Sequence, residues 1–323
     1  MKAIIPAAGI GSRLRPHTHT APKALLHVAG KPILGHIIDG LIAYNIRDIV
    51  IIVGFLGEKI VEYVTNNYNI RASFVEQKEL KGLGYAIYLA NEHIADDPVL
   101  IVLGDTIMDL NYEQVLKSEY DAIGTKVVDD PRRFGIAELK DNFIARLVEK
   151  PERPTSNLAL VGIYYIKSTE LFAGCLKELI AKNITTREEF QLTDALSLMI
   201  KHDCKIKTFN VDGWYDCGKK ETLLETNRYL LQQIKTIDTK PDVVIVPPVY
   251  ISPSAKVKNS VIGPNVSVAD GAVIESSIIR NSIVSSCAEV KNSLLESSLV
   301  GNNSLVGGHF HILNLGDSSE IGY

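Results

Sequence analysis

Cysteine is scarce in this chain. Four stand among 323 residues, Cys175, Cys204, Cys217 and Cys287, far apart and in neither a CxxC nor a zinc-ligand spacing. That excludes a disulfide framework and a cysteine metal site, and reduced thiols in a cytoplasmic protein are expected. Long apolar runs are lacking too, since none approaches the ~20 residues of a membrane span. The opening MKAIIPAAG is too short an apolar run for a secretory leader, so a soluble intracellular protein with no membrane partner is expected. Charge excess is small: the formal net charge of −4 argues against nucleic acid as a partner and confines phosphate recognition to a local site. Two nucleotide-binding signatures are missing as well. No GKS or GKT follows the glycine-rich turn near the N-terminus, which excludes a P-loop, and Leu14 stands where the dinucleotide fingerprint has its third glycine.

What is present is an alternation of two textures. KAIIPA, DIVIIVG, PVLIVLGD and ALVGIYYI are compact apolar runs of strand length. Between them KPILGHIIDGLIAYN and GYAIYLANEHI space their apolar residues near the helical period, and KKETLLETNRYLLQQIK is a last amphipathic helix. Short strands alternating with helices predict βαβ units and a mainly parallel, covered sheet, a Rossmann-like α/β domain over residues 1–238. The proline-bearing segment TIDTKPDVVIVPPV then breaks the pattern.

Residues 239–323 form a second domain by the same reading. KNSVI, ESSII, RNSIV, KNSLL and ESSLV repeat a polar residue, Asn or Ser, Ser and two aliphatics, with serines at 260, 277, 282, 293 and 298. Steps of 5, 11 and 17 residues are near multiples of six, the signature of a parallel β-helix whose stacked coils bury one another's faces. Its open ends leave strand edges that favour being covered, so a homo-oligomer through this domain is expected.

The chemistry concentrates in AAGIGSRLRPHTHTAPKALL, residues 7–26. A strand followed by a glycine-rich turn places Gly9 and Gly11 at a strand's carboxyl end, where open α/β sheets bind ligands. Backbone N–H groups there can cradle phosphate oxygens, with Arg13 and Lys23 adding charge. His17 and His19 flank Thr18, but with no third ligand evident they are read as a solvated loop and not a zinc site.

The run AAGIGSRLRPHTHTAPKALLHVAGKPIL resembles the N-terminal signature of the sugar-1-phosphate nucleotidylyltransferases. The resemblance continues in family order through EQKELKGLGYAI, VLIVLGD, FGIAEL, LVEKP, SNLALVGIYYI, EEFQLTDAL and WYDCGK, and the repeats resemble the left-handed β-helix appended to many members. The reaction this implies is attack of a sugar 1-phosphate oxygen on the α-phosphorus of a nucleoside triphosphate, with pyrophosphate leaving. The nucleophile is already an anion near neutral pH, a phosphate monoester's second pKa being about 6. The site must therefore supply in-line positioning and charge neutralisation, and no general base.

Residue by residue, the resemblance implies that Ala8, Gly9, Gly11, Ser12 and Arg13 hold the triphosphate and Lys23 the α-phosphate. It puts Gln77 and Gly82 at the base and Lys150 at the sugar phosphate. Gly135, Glu149 and Leu160 would line the hexose, and Asp105 and Asp216 would hold Mg²⁺. The Q-x4-G-L-G spacing is closer to thymidylyl- and uridylyltransferases than to guanylyl enzymes, so dTTP is expected first, UTP next, with glucose 1-phosphate as acceptor. Ser12, His27 and Phe134 depart from the common pattern without removing a charge from the site. Two other readings stay open here: a bifunctional enzyme whose β-helix also acylates through His309 or His311, and a non-catalytic assembly protein that binds the sugar nucleotide.

Overall fold

The computed structural model describes residues 1–94, 97–234 and 242–308. The chain divides into two compact units: residues 1–26 with 31–226, and residues 27–30 with the chain from Asn227 onward. The division falls within helix Lys220–Leu231. The sequence boundary at 238/239 lies outside the described residues, as do His309 and His311.

The first unit is built on a nine-stranded sheet. Arg71–Glu76, Asp48–Val53, Lys2–Pro6 and Val99–Val102 lie side by side and parallel. The next strand, Leu158–Ile166, runs antiparallel to Val99–Val102, and the hairpin Gly135–Lys140 with Phe143–Glu149 closes that edge. Asp121–Val127 also joins Leu158–Ile166 antiparallel, and Ile206–Asn210 joins it in parallel. The sheet is thus mixed, parallel through its first four strands and largely antiparallel beyond them.

Helices cover the sheet because their apolar residues recur on one side. Ile33–Ala43 buries Ile33, Leu34, Ile37, Ile38 and Leu41, spacings of three and four that form one stripe. Thr169–Ala181 and Leu192–Lys201 bury Phe172, Leu176, Leu179, Ala195, Leu196 and Met199 in a core shared with Ile4, Ile101 and Tyr164. Every described helix is too short or too polar to cross a membrane. The carboxyl ends of the parallel strands release three chain segments to one edge, 7–26, 77–82 and 103–105, and that edge carries the candidate site.

The second unit is a short left-handed parallel β-helix of three four-stranded sheets. Val261 pairs with Ile278 and Ile278 with Leu294, so a coil takes 17 or 16 residues and not a strict eighteen. The interior is aliphatic: Val257, Ile262, Val266, Ile274, Ile279, Val284 and Val290. The serine repeat has a mechanical reason. Before each serine the chain turns through a left-handed residue, Asn259, Ser276, Asn281, Asn292 or Ser297, and asparagine tolerates that conformation well. The serine hydroxyl then donates to a carbonyl two residues back and accepts the amide of the serine one coil on. Ser260 Oγ bonds Lys258 O at 2.6 Å and takes Ser277 N at 3.1 Å. Ser277 Oγ bonds Glu275 O at 2.8 Å and takes Ser293 N at 3.1 Å. Ser282 and Ser298 repeat the motif on another corner.

Ser277 is buried, so Ser277→Ala strips a coil-to-coil acceptor from the Ser293 amide. The expected cost is about 1–2 kcal/mol, read as a lower urea midpoint of the full chain. An unchanged midpoint would remove the serine ladder as a stabilising element.

Candidate functional site

The site starts at Lys2–Pro6, whose residues Ala3, Ile4 and Ile5 are fully buried between two parallel neighbours. At its end the chain is tied to both of them: Ala7 N donates to Ile52 O, and Pro6 O accepts from Gly104 N. The chain then loops through three short 3₁₀ turns, Ser12–Leu14, His17–His19 and Lys23–Leu25. Gly11 sits in the left-handed region at φ 68°, and a Cβ there would stand 3.0 Å from Lys23 Cβ. The glycine therefore serves both the turn and the passage of the lysine stem. Thr18 Oγ1 donates to Gly11 O at 2.9 Å and braces the loop from inside.

Lys23 is only 7% exposed. A buried ammonium needs an opposite charge, and Lys23 Nζ finds Asp105 Oδ2 at 2.6 Å. Asp105 follows Val99–Val102, the strand beside Lys2–Pro6, so the pair links the loop to the adjoining strand end.

Two cavities flank this pair, and Leu103 and Asp105 line both. The first, about 270 Å³, is lined by Ala8, Gly9, Lys23, Gln77, Gly82 and Asp105. Gln77 is nearly buried; its backbone N–H bonds Val53 O and its Nε2 donates to Glu79 O at 3.1 Å, which orients the amide. Gly82 caps helix Leu83–Leu89 at φ 101°, and a Cβ there would lie 2.6 Å from Phe190 O. Close packing against Phe190 thus requires that glycine, whatever room it also leaves for a ligand. Leu80 and Leu83 give the cavity an apolar side.

The second cavity, about 500 Å³, is lined by Arg13, Asp105, Lys150, Leu160 and Asp216. Asp216 is brought there by a two-stranded ribbon, Thr106–Asp109 with Gly213–Asp216, in which it is paired directly with Thr106. Cys217 N then donates to Asp105 O at 3.0 Å, so the two aspartates stand on adjoining backbones. Lys150 leaves its strand at φ 43° and its Nζ reaches Glu149 Oε1 at 3.1 Å. Glu149 is nearly buried and its other oxygen takes Thr193 Oγ1 at 3.1 Å. Gly135 faces Glu149 in register across the hairpin. The structure therefore gathers Ala8, Gly9, Lys23, Gln77, Gly82 and Asp105 on one side and Arg13, Lys150, Leu160 and Asp216 on the other. Gly11, Ser12, Gly135 and Glu149 stand in the supporting turns and strands and line neither cavity.

Sequence reasoning missed several groups at these cavities. Arg187 lines the second one and its Nη2 donates to Lys150 O at 2.7 Å. Arg132, Arg133 and Trp214 line it too. Thr193 holds Glu149 from the first turn of Leu192–Lys201. The Arg132–Arg133 doublet was a visible signal; the partners of Arg187 and Thr193, far off in sequence, gave none. Next to Thr193, Asp194 keeps one buried carboxylate oxygen without a partner, and burial pushes its carboxyl up.

For a metal, the donor set is two carboxylates, Asp105 and Asp216, on one cavity wall. Among the described residues no third His, Cys, Asp or Glu joins them. That set fits Mg²⁺, which takes one or two carboxylates and completes its shell with substrate phosphates and water. It does not fit a closed structural zinc site.

A mixed α/β sheet with a cation-bearing loop, two abutting cavities and a two-carboxylate wall is an arrangement chemically suited to a phosphorylated ligand. Residues 2–233 match the Nucleotidyl transferase family, and residues 245–322 match the GMPPB C-terminal domain. The chain belongs to the nucleotidyl transferase family. It is 42% identical to the bifunctional protein GlmU of Methanocaldococcus jannaschii over 239 residues, 73% of this chain but only 56% of that protein. The chain thus spans little more than half the length of that relative. It is 30% identical to a glucose-1-phosphate thymidylyltransferase of Streptomyces griseus, with 99% of each chain covered. A solved structure described as UDP-glucose pyrophosphorylase complexed with UDP-glucose superposes with a TM-score of 0.60 at 25% identity, covering 72% of this chain and 99% of that one.

Cys217 follows Asp216 directly, and burial pushes its thiol up to about 12. Burial also raises Cys204 to about 12 and Cys175 to about 11, against an ordinary thiol near 8.5. A raised thiol pKa means the nucleophilic thiolate is missing below that pH. At pH 8 a disulfide-exchange reagent is therefore expected to titrate one thiol per folded chain, the exposed Cys287, and all four after unfolding. Fast reaction of two or more in the folded chain would contradict this packing.

Proposed function

We propose that the protein transfers a nucleotidyl group from a pyrimidine nucleoside triphosphate to a sugar 1-phosphate, with pyrophosphate as the second product. dTTP is the favoured donor, UTP the next, and glucose 1-phosphate the favoured acceptor, with the cytoplasm as the compartment. The observation that carries the reading is the pair of cavities meeting at Asp105 and Leu103. One bears an oriented amide and an apolar side suited to a base. The other bears Lys150, Arg13 and Arg187, suited to a phosphate.

On this reading Gln77 presents its amide oxygen to the N–H of a pyrimidine edge, its Nε2 being held by Glu79 O. The loop from Ala8 through Arg13 takes the triphosphate, and Lys23 faces the α-phosphate from its buried seat beside Asp105. Lys150 holds the sugar phosphate, itself braced by Glu149 and by the bond from Arg187 to its carbonyl. Glu149, fixed by Thr193, offers its carboxylate to sugar hydroxyls, with Gly135 and Leu160 beside it. The acceptor is already anionic, so these residues need to align two repelling anions and neutralise them. Mg²⁺, when held by Asp105 and Asp216 with the phosphates, supplies further neutralisation of the leaving pyrophosphate. The same reading has copies of the chain associate through the second unit.

The test is pyrophosphate release from the full chain with Mg²⁺ and glucose 1-phosphate, one triphosphate at a time. Turnover with dTTP, less with UTP and none with GTP, ATP or CTP is expected. Asp216→Asn is expected to lower kcat by about 100-fold or more with little change in melting, since the residue is only partly buried, at a strand end. No release with any triphosphate, also with mannose, galactose and N-acetylglucosamine 1-phosphates, would overturn the reading.

A further inference from the structure

Lys23 and Asp105 satisfy one another, yet each also faces a cavity where it can serve a ligand. Lys23 lines the first cavity and not the second, whereas Asp105 lines both. Both oxygens of Asp105 are engaged inside the chain: Oδ2 takes Lys23 Nζ at 2.6 Å, and Oδ1 takes Thr106 Oγ1 at 3.2 Å. Asp216 differs, since among the described residues it forms no ion pair. Of the two carboxylates on one wall of the second cavity, one is thus covered by an ammonium and the other is not.

A dication on Asp105 would share that carboxylate with the ammonium. Two like charges on one carboxylate, one of them nearly buried and poorly screened, oppose each other strongly. Nor can Lys23 simply withdraw, since only 9% of its side chain is exposed and a buried ammonium needs an anion. Its stem is fixed as well. A Cβ on Gly11 would stand 3.0 Å from Lys23 Cβ and 3.4 Å from its Cγ, so the root of the side chain packs on that turn. The far end is freer, because the last carbons of a lysine can rotate between staggered wells and carry Nζ with them. Lys23 can therefore leave Asp105 only for another anion, and the cavity it lines is the first.

We propose that Lys23 is an internal cation that keeps metal off Asp105 until a nucleotide phosphate in the first cavity draws it away. This rests on the function proposed above, which gives Asp105 and Asp216 to Mg²⁺ and Lys23 to the α-phosphate. Lys23 exchanges a carboxylate for a phosphate, and the same movement leaves Asp105 uncovered beside Asp216. Metal and nucleotide then bind synergistically, each raising the other's affinity by the same factor. The chain alone holds metal poorly, and the residue that enforces this is the one that meets the nucleotide.

Mn²⁺ binding to the full chain without nucleotide, counted from the electron paramagnetic resonance of the free ion, tests the exchange without any turnover. Lys23→Met removes the ammonium and is expected to tighten Mn²⁺ binding about tenfold or more over wild type, the relief of one like-charge contact. Adding Asp105→Asn to Lys23→Met is expected to abolish that gain. Thymidine monophosphate offers wild type an α-phosphate without pyrophosphate. It is expected to tighten Mn²⁺ binding about tenfold beyond what nucleotide and chain bind separately. Should Lys23→Met fail to fold, this wild-type synergy decides alone. Wild-type Mn²⁺ affinity in Lys23→Met, a gain that survives Asp105→Asn, or merely additive binding with thymidine monophosphate would overturn the proposal. Any of these alongside pyrophosphate release from dTTP removes the exchange and leaves the reaction standing, whereas absence of release is the separate failure of the reaction.

Discussion

The bond from Lys23 to Asp105, 2.6 Å long, is the constraint on which the site depends. An ammonium this buried cannot stay charged alone. Its partner comes from the neighbouring strand, and Gly11 leaves the space through which the lysine stem passes. One interaction thereby closes the loop 7–26 onto the sheet and brings its backbone and Arg13 to the two cavities. It also seats the Lys23–Asp105 ion pair at the wall that the two cavities share. A P-loop reaches a similar end through backbone amides and one lysine at a helix start. Here the cations come from separate segments, Arg13 and Lys23 from the loop, Lys150 from a strand end, Arg187 from a turn. Arrangement in space replaces a single motif, and the overall charge of −4 can stay acidic around it.

The second unit solves a different problem. Its coils are too short to bury anything alone, so every coil must be registered on the next. Aliphatic residues fill the interior, and the serine at each corner ties amide to hydroxyl from coil to coil. The outer faces are free to differ because their side chains point away from the aliphatic interior and the serine corners that hold the coils together. That freedom lets one face carry Lys258, Glu275 and Lys291 in register and another an apolar row with Val244, Ile278 and Leu294 exposed.

Much of this was legible in the chain, and for identifiable reasons. Local features showed: the strand Lys2–Pro6, the turn at Gly11, the helix Ile33–Ala43 and the serine repeat each follow from neighbours within a few residues. The long signature around Arg13 and Lys23 also carried the family. Non-local features did not show. An apolar run such as ALVGIYYI reads the same in a parallel or an antiparallel neighbourhood, so the mixed half of the sheet was hidden. Gly82 could be assigned to a ligand, whereas its tightest contact is Phe190, more than a hundred residues away. Thr193 carried no signal, since nothing nearby in sequence reveals its bond to Glu149. The outward apolar row was hidden in plain view. Every repeat carries two aliphatics, and only the coil geometry says which of them points out.

The measurement that tests the account most directly is a crystal structure of the full chain with dTDP-glucose bound. The account expects the base against Gln77, the diphosphate beside Lys23 and Asp105, and the glucose against Glu149 and Leu160, one ligand bridging both cavities. A ligand with its sugar in the Gln77 cavity, or bound outside both cavities, would contradict it.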